Sequence, residues 1–548
     1  MSVRRPAVRA LAAGLVLAAL AASCTSDDGG DDATPTTADS SETTIAVETN
    51  HDEESPSVAV AVPIPAEQID AAIDQLPDIV EEMQSRSGVP GLAVAVVHDD
   101  EVVFAEGYGV RSTDTDEPVD TDTVFQIASL SKPVSATAMA SLVGKGEIAW
   151  DDRVVDHLPG FALSDPVTTE LVTLADLFSH RSGLPDHAGD LLEDLGYDRA
   201  AVLERLRYLP LDAFRDSYAY TNFGLTAAAE AAAVAVGEDW ADIVEQEVFE
   251  PLGMTSSSDR FADYEARENK AVTHVEVDGE WQPLYVRQPD AQSPAGGVSS
   301  SASDMAQWLR LRLAEGSYDG EQLIDPEALA ATTTPQSLSG PPATPEARSG
   351  FYGLGIGVGT DWTGRVRLSH SGAFALGAAT VINLLPSEDL GIVVLTNGMP
   401  VGLPEAVAAT FMDLVETGEV ERDWLEGYGG VLAGMFVNHS VLADQEPPEF
   451  PAPARAPEAY LGTYANEYYG PLEVVAEDEG RLAMTLGPEP VVLLLTHWDG
   501  DTFSYEPTGE NAVGISAVTF TMGPDGQATT VLVEFLDANG LGTFTRAG

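Results

Sequence analysis

Between residues 66 and 109 the spacing of apolar residues changes once, from a helical pattern to short continuous runs. Apolar residues recur at helical spacing in "AEQIDAAIDQLPDIVEEMQSRSG", which ends at Gly88, so this stretch predicts an amphipathic helix. Two short apolar runs then flank a polar "HDDE" in "GLAVAVVHDDEVVFAEGYG". Two apolar runs about a short polar turn predict a β-hairpin directly after the helix.

The pattern changes again further along the chain. From about residue 125 to 325 it is mainly helical, with long polar loops. Strand-like runs follow in "FYGLGIGVG", "RVRLSHSG", "GAATVINLLP" and "LGIVVLTNG", and "EAVAATFMDLVET" then favours a helix. A hairpin first, helices in the middle and strands last indicate one α+β domain over residues 63–420, whose sheet joins both ends of the segment.

Proline marks the next boundary. Residues 421–457 are predicted to be a helical segment and a linker, because "VLADQEPPEFPAPARAP" is rich in proline. Short alternating strands separated by turns such as "GPDGQ" and "DANG" follow over residues 458–548. This part predicts a small all-β domain, either a barrel or a sandwich. A total of 548 residues is too long for one hydrophobic core and agrees with two or three domains.

The first 24 residues have the composition of an export signal. Three arginines precede the short apolar core "ALAAGLVLAALAAS", which is too short for a comfortable transmembrane helix. The core ends at Cys24, the only cysteine of the chain, and the stretch resembles a bacterial lipoprotein signal that is cleaved and lipidated there. The alternative is an ordinary secretory signal with an incidental cysteine. Residues 25–62 are acidic and poor in large apolar residues, which predicts a disordered tether. We therefore expect a protein of the bacterial cell envelope, lipid-anchored at the outer face of the membrane or secreted.

The charge of the chain excludes two classes of partner. With 89 acidic against 26 basic residues, the formal net charge is −63. Neither nucleic acid nor an anionic membrane surface is an electrostatic partner for such a chain, so any membrane contact is expected through the N-terminal lipid alone. No phosphate-binding glycine loop, HExxH motif or Cys/His cluster occurs in the sequence, and we predict neither a metal site nor a cofactor.

The stretch "FQIASLSKPVSA" carries the first candidate for chemistry. It places Lys132, one of only three lysines, three residues after Ser129 and directly before proline. If Ser129 begins a helix, the two side chains lie on one face within reach of each other. The helix dipole and burial both disfavour a protonated amine there, and a neutral lysine is able to accept the serine proton. A single Ser-x-x-Lys also occurs by chance, so other residues have to decide.

Two further motifs add to the case. In "DSYAYTNFGLTAAAEAAAVAVG", Tyr220 and Asn222 precede an apolar helix, and in an extended segment both would face one cleft. A tyrosine beside a lysine loses its proton more easily and serves as an acid or base, and asparagine offers a donor and an acceptor. In "LSHSGAFALGAATVINLLP", His370 lies on or beside a strand and Gly372 permits close approach of a ligand. Taken singly, the tyrosine is equally a core residue, the asparagine a helix cap and the histidine an ordinary hydrogen-bonded one.

The order Ser-x-x-Lys, Tyr-x-Asn, His-x-Gly resembles the serine β-lactamase and penicillin-binding-protein superfamily, closest to the class C β-lactamase, D,D-peptidase and esterase branch. The stretches "LADLFSHRSGLPD", "VFEPLGMTSS" and "SPAGGVSSSASDMAQWL" are similar to that family too, so that the resemblance runs from about residue 75 to 418. It implies an α/β domain with a helical part and an antiparallel sheet flanked by helices. The C-terminal "YLGTYANEYYGPLEV" resembles the lipocalin-like β-barrel domain often appended to such hydrolases.

The resemblance also implies roles. Ser129 would be the acylated nucleophile, Lys132 would help to remove its proton and Tyr220 would relay a proton to the leaving group. Asn222 would hold the substrate, and the N–H groups of Ser129 and Ala373 would bind the oxyanion beside Gly372. The substrate would be a small molecule or a peptide.

His370 is the departure from the pattern, because lactamases and D,D-peptidases usually carry a lysine there that helps to bind a carboxylate. Histidine is a weaker anchor near neutral pH, which favours uncharged esters or amides. The alternatives that stay open are a D,D-carboxypeptidase or β-lactamase, and a non-catalytic envelope protein that binds penicillin or peptides. The resemblance places His180 and His187 on a loop near the cleft, and we interpret them as structural. The oligomeric state stays open.

Overall fold

The computed structural model describes residues 62–477 and 480–547. The predicted signal sequence with Cys24, and the predicted tether up to residue 61, lie outside the described residues. Within the described part, no helix combines the length and the apolar character needed to cross a membrane.

The strands fall into an N-terminal and a C-terminal group. Those of the first group are β1 Gly91–His98, β2 Glu101–Gly109, β3 Phe125–Gln126, β4 Val275–Val277, β5 Glu280–Gln282, β6 Ser299–Ser300, β7 Ser317–Tyr318, β8 Glu321–Gln322, β9 Ser337–Gly340, β10 Gly350–Tyr352, β11 Gly357–Thr360, β12 Val366–Phe374, β13 Ala378–Leu385 and β14 Leu390–Thr396. Those of the second are β15 Gly462–Asn466, β16 Gly470–Ala476, β17 Leu482–Leu486, β18 Val491–Asp499, β19 Thr502–Tyr505, β20 Ser516–Met522, β21 Ala528–Val533 and β22 Thr543–Arg546.

The helices lie in the first unit and just after it. They are α1 Ala66–Ser87, α2 Ser131–Gly144, α3 Val154–His157, α4 Pro166–Leu171, α5 Leu174–Phe178, α6 Asp190–Asp194, α7 Arg199–Arg205, α8 Asn222–Val236, α9 Trp240–Val244, α10 Glu250–Leu252, α11 Phe261–Ala266, α12 Ser293–Gly296, α13 Ala302–Leu313, α14 Pro326–Thr333, α15 Leu403–Thr417 and α16 Trp424–Leu432.

The predicted helix and hairpin at the start of the domain are confirmed. Helix α1 ends at Gly88, whose φ of 69° is the left-handed conformation typical of a glycine after a helix. Strands β1 and β2 pair antiparallel, and the turn residues Asp99 and Asp100 both have positive φ, 52° and 60°. Two such residues form the hairpin turn whose twist matches that of the strands.

The sheet joins the two ends of the domain, as the pattern predicted. Its eight strands run in the order β2-β1-β14-β13-β12-β11-β10-β9. Strand β1 lies between β2 and β14, with Leu92 opposite Thr396, so the first hairpin pairs with the last strand of the unit. Helices in the middle of the chain and the strands that follow them give the predicted α+β organisation.

Strand β1 is apolar throughout because both of its faces are covered. Leu92, Val94 and Val96 pack in a core with side chains of α1 and α15, whereas Ala93 and Ala95 face a second core that includes α2, α8 and α13. A strand buried on both faces has no reason to alternate with polar residues. The sheet is therefore a middle layer, and the helical part that carries the candidate residues packs on one of its faces.

The C-terminal strands form a closed barrel, which decides between the two predicted all-β architectures. Its eight strands β15 to β22 are antiparallel, and β22 pairs back with β15. Closure leaves no free edge strand. The predicted fold class, an α/β domain with an antiparallel sheet followed by a small barrel, is confirmed.

Candidate active site

The candidate nucleophile lies in a short turn that precedes helix α2. Ala128 to Leu130 form one 3₁₀ turn and α2 begins at Ser131, so Ser129 lies just before the helix and not within it. Ala128 has a φ of 48°, an uncommon conformation for a residue with a Cβ atom, which costs on the order of 1–3 kcal/mol. A sharp backbone turn therefore presents Ser129, which lines a cavity of about 540 Å³.

Lys132 is fully buried and is surrounded by acceptors. Its Nζ atom donates to Ser129 Oγ at 3.0 Å, to Asn222 Oδ1 at 2.7 Å and to the carbonyl oxygen of Ala295 at 2.9 Å. Burial lowers the pKa of Lys132 to about 7, although the charge of Asp190 opposes this shift. An amine with such a pKa is largely neutral above neutral pH and is placed to accept the proton of the Ser129 hydroxyl.

Asn222 joins Lys132 to a buried acid. The residue begins helix α8, and its side chain does not cap that helix. Its Nδ2 group donates to Asp190 Oδ2 at 2.9 Å, and the same oxygen lies 2.8 Å from His187 Nδ1. A hydrogen-bonded chain therefore runs from Lys132 through Asn222 and Asp190 to His187 at the wall of the cavity.

Tyr220 and Asn222 both line the cavity, as expected, because Thr221 between them is extended. The expectation that the neighbouring lysine eases the loss of the Tyr220 proton is wrong. The Lys132 Nζ atom lies 4.5 Å from the centre of the Tyr220 ring, but burial raises the pKa of the phenol, and the hydrogen bond with Ser129 opposes this only in part. Tyr220 therefore keeps its proton and is suited to act as an acid.

His370 is buried on strand β12, and both of its ring nitrogens are engaged. The Nε2 atom lies 2.8 Å from the hydroxyl of Tyr352, and Nδ1 lies 2.7 Å from the carbonyl oxygen of Ser371. Nδ1–H is then the donor to the carbonyl, and Nε2 accepts from the phenol. Burial lowers the pKa of His370 to about 3, with a further contribution from Lys132. The imidazole is neutral at physiological pH and has no free charge for a carboxylate.

Gly372 faces the turn that carries Ser129. A Cβ atom at this position would lie 2.4 Å from the carbonyl oxygen of Ile127 and 3.0 Å from the backbone nitrogen of Ser129. Only glycine allows strand β12 to come so close to the turn that carries the nucleophile. The close approach of a ligand at Gly372 stays a prediction. The next residue, Ala373, lines the same cavity as Ser129.

The two loop histidines differ in their surroundings. His180 is buried against the rings of Tyr220 and Tyr352, with centroid distances of 4.6 and 4.9 Å, and its Nδ1 accepts from the Thr221 N–H group. It supports the position of Tyr220, in line with the structural role predicted for it. His187 lines the cavity, and its contact with Asp190 helps to raise its pKa to about 9 although burial acts against this.

The cavity has a volume of about 540 Å³ and is lined by residues of both domains, from Ser129 to Val513. It brings together Ser129, Tyr220, Asn222, His370 and Ala373 from the predicted set. Three further residues of the site could not be predicted: Asp190, Ala295 and Glu510. No sequence feature distinguishes these two acids from the other acidic residues, and none marks the carbonyl group of Ala295. Among the described residues, no group of three His, Cys, Asp or Glu side chains is arranged to hold a metal ion.

A family model described as Beta-lactamase matches residues 69–417, which is more than half of the chain. The chain belongs to the β-lactamase family. The predicted resemblance is thereby confirmed, and the members of this family are serine hydrolases. A second model, described as a domain of unknown function (DUF3471), matches residues 446–541, which include most of the barrel.

Relatives within the β-lactamase family carry different names. Penicillin-binding protein 4 of Amycolatopsis lactamdurans is 30% identical over 326 residues, covering 58% of this chain and 83% of that protein. The unguisins hydrolase ungD of Aspergillus violaceofuscus is 25% identical over 487 residues, covering 80% and 83%. The octameric penicillin-binding protein homologue from Pyrococcus abyssi superposes with a TM-score of 0.56 at 18% identity, over 86% of this chain and all of that one. The last likeness concerns the fold alone.

Proposed function

We propose that this protein is an exported hydrolase that cleaves an ester or amide without a free carboxylate through an acyl-enzyme on Ser129. The observation that carries the proposal is the 3.0 Å contact between Ser129 Oγ and the buried Lys132 Nζ. A serine hydroxyl is a weak nucleophile unless an adjacent base removes its proton. The lowered pKa of Lys132 supplies such a base near neutral pH.

The proposed reaction uses the same groups twice. Ser129 Oγ attacks the substrate carbonyl while its proton passes to Lys132, and the N–H groups of Ser129 and Ala373 donate hydrogen bonds to the developing oxyanion. The tetrahedral intermediate expels the leaving group, which takes the phenol proton of Tyr220, and the Lys132 ammonium returns a proton to Tyr220. Water then attacks the acyl ester and gives a proton to Lys132, and the second tetrahedral intermediate releases the acid product as the Lys132 ammonium returns that proton to Ser129 Oγ. Asn222, held by Asp190, keeps Lys132 in place and offers its side chain to the substrate.

The neutral state of His370 supports a substrate that has no free carboxylate. Both ring nitrogens are engaged, so a substrate carboxylate gains no cation at this position. The D,D-carboxypeptidase and β-lactamase alternatives both need recognition of a carboxylate. The non-catalytic alternative needs an inert cleft, and the contact between Lys132 and Ser129 speaks against it.

Labelling with a fluorophosphonate and with a fluorescent penicillin, side by side, tests this proposal. We expect strong labelling by the neutral phosphonate and weak labelling by the carboxylate-bearing penicillin. Equal or stronger labelling by penicillin favours the penicillin-binding alternative. If neither probe reacts with the folded protein, the cleft is inert and the proposal is wrong.

The location of the protein forms a second part of the proposal. We propose that Cys24 is lipidated and holds the protein at the outer face of the membrane, because it directly follows the apolar core of the export signal. The variant Cys24→Ser should then move from the membrane fraction to the soluble fraction when cells are lysed and centrifuged, since no other lipid anchor is proposed. Wild-type protein and an Asp27→Asn variant should both stay with the membrane. A Cys24→Ser protein that sediments with the membrane contradicts the anchor.

A further inference from the structure

One wall of the cavity beside Ser129 is acidic. Asp190, Glu193 and Glu510 all line the cavity, the first two from helix α6 and the third from the loop between β19 and β20 of the barrel. The side chains of Asp190 and Glu193 are each 7% exposed. Such deep burial of carboxylates is costly unless donors or cations surround them.

Two oxygens of this wall have no donor. Asp190 Oδ1 and Glu193 Oε1 are buried and, among the described residues, accept no hydrogen bond. Their partner oxygens are occupied, Asp190 Oδ2 by Asn222 and His187, and Glu193 Oε2 by Arg287 and Gln292. A buried acceptor without a donor costs about 1–3 kcal/mol, which a ligand carrying N–H donors would offset.

The cations at this wall do not balance its acids. Arg287 lies 2.7 Å from Glu193 and 3.8 Å from Glu510, and Asp194 is a third carboxylate close to it. His187 is already bound to Asp190 and also lies 3.9 Å from Asp186. Burial raises the pKa of Glu193 and that of Glu510, the latter to about 8, although Arg287 acts against both shifts. A bound cation would lower both pKa values further and stabilise the ionised carboxylates.

Hydrogen bonds to the first domain fix the barrel loop that contributes Glu510 to the acidic wall. Asp194 accepts hydrogen bonds from the backbone N–H groups of Glu510 and Asn511 at 2.9 and 3.1 Å, and from Asn511 Nδ2 at 2.8 Å. The Glu510 carboxylate in turn accepts from the N–H groups of Ala375 and Leu376, directly after the strand that carries Ala373. The first domain therefore holds both the backbone and the carboxylate of Glu510. This barrel residue lines the cleft as a result.

We infer that this wall is a subsite for a protonated amine, so that the preferred substrate is an ester or amide with an ammonium group close to the scissile carbonyl. The inference rests on the proposed function for its reacting bond, but the subsite itself is independent of catalysis. Asp190 and Glu193 supply the two unpaired acceptors, and Glu510 from the barrel closes the subsite. An ammonium group has three donors and one charge, which suits these acceptors.

Calorimetric binding of pentylammonium to the full chain, with pentanol as the neutral probe, tests the subsite without any turnover. At physiological salt we expect the wild type to bind the cation and not the alcohol. Glu193→Gln and Glu510→Gln should each weaken binding about ten-fold. Glu506→Gln is the matched control, because it removes the same charge from an exposed position of the same loop and should leave binding unchanged. Equal affinity in all four proteins, or no binding by the wild type, overturns the inference.

Hydrolysis adds a second measurement. p-Nitrophenyl esters of ω-amino acids with chains of differing length are compared with their alkyl isosteres. We expect the ratio of kcat/KM, amino over alkyl, to exceed one in the wild type and to fall about ten-fold in Glu193→Gln. A flat ratio with active enzyme overturns the subsite and leaves the Ser129 mechanism standing. Selective binding of pentylammonium by a chain that hydrolyses no ester supports the subsite and contradicts the proposed function.

Discussion

Replacing Ser129 with alanine abolishes fluorophosphonate labelling and lowers kcat/KM by on the order of 10⁴ or more, because no other group forms the acyl-enzyme. The fold should persist, since Ser129 lines the cavity and Lys132 keeps its two other acceptors, Asn222 Oδ1 and the Ala295 carbonyl oxygen. Ser141→Ala is the matched control. Ser141 lies on helix α2, which follows Ser129, and its hydroxyl donates to Glu247 away from the cavity. Mass spectrometry of the labelled wild type identifies the modified residue, and an adduct elsewhere contradicts the assignment of Ser129.

Replacing Lys132 with methionine lowers kcat/KM by about 10²–10⁴, the usual contribution of a general base. Methionine keeps most of the volume and the apolar stem but accepts no proton. Lys145→Met is the matched control, because Lys145 follows the same helix and pairs with Glu247 at the protein surface. Stability should not fall with activity, since an apolar side chain at a buried position avoids the desolvation of an ammonium group. Thermal unfolding of both variants checks this, and a large loss of stability in Lys132→Met indicates a structural role.

The pH profile distinguishes a base from a mere neighbour. Because burial lowers the pKa of Lys132 to about 7, the neutral amine becomes the major form as the pH rises through 7. kcat/KM of the wild type on a neutral ester should therefore rise towards a plateau with an inflection near pH 7. The residual activity of Lys132→Met should lack that inflection. A wild-type profile that is flat between pH 5.5 and 8.5 shows that Lys132 does not act as the base.

The motifs and the order of elements could be predicted from the sequence, since both are local. The spacing of Ser129 and Lys132 and the apolar runs of the hairpin each depend on a few neighbouring residues. The extent of burial could not be predicted in this way. It raises the pKa of Tyr220, although Lys132 lies beside the ring in the fold, and it leaves His370 neutral. These effects arise from residues that are distant in sequence, such as Tyr352 for His370.

The contribution of the barrel to the cleft could not be predicted either, because it depends on residues that are distant in sequence. Glu510 follows Asp194 by more than 300 residues, and its loop contains ordinary turn residues that carry no catalytic motif. The glycine before it, Gly509, has a φ of 115°, and a Cβ atom there would lie 2.5 Å from the Asp194 side chain. In the sequence, this glycine is only one of 50. Its role becomes visible when the two domains are in contact.

Strand β1 lies between β2 and β14, so that one of its two partner strands is synthesised much later than β1 itself. Leu92 meets its partner Thr396 only after about 300 further residues have been made. At about 5–20 residues per second, this takes on the order of 15–60 s on the ribosome. During that time a strand that is apolar on both faces waits beside a single partner, and such unpaired edges promote aggregation. Pairing over so long a separation is also slow in itself. Strand β1 is therefore the first to be synthesised and among the last to be paired along both edges. The yield of folded protein depends on keeping the hairpin soluble until β14 has been made.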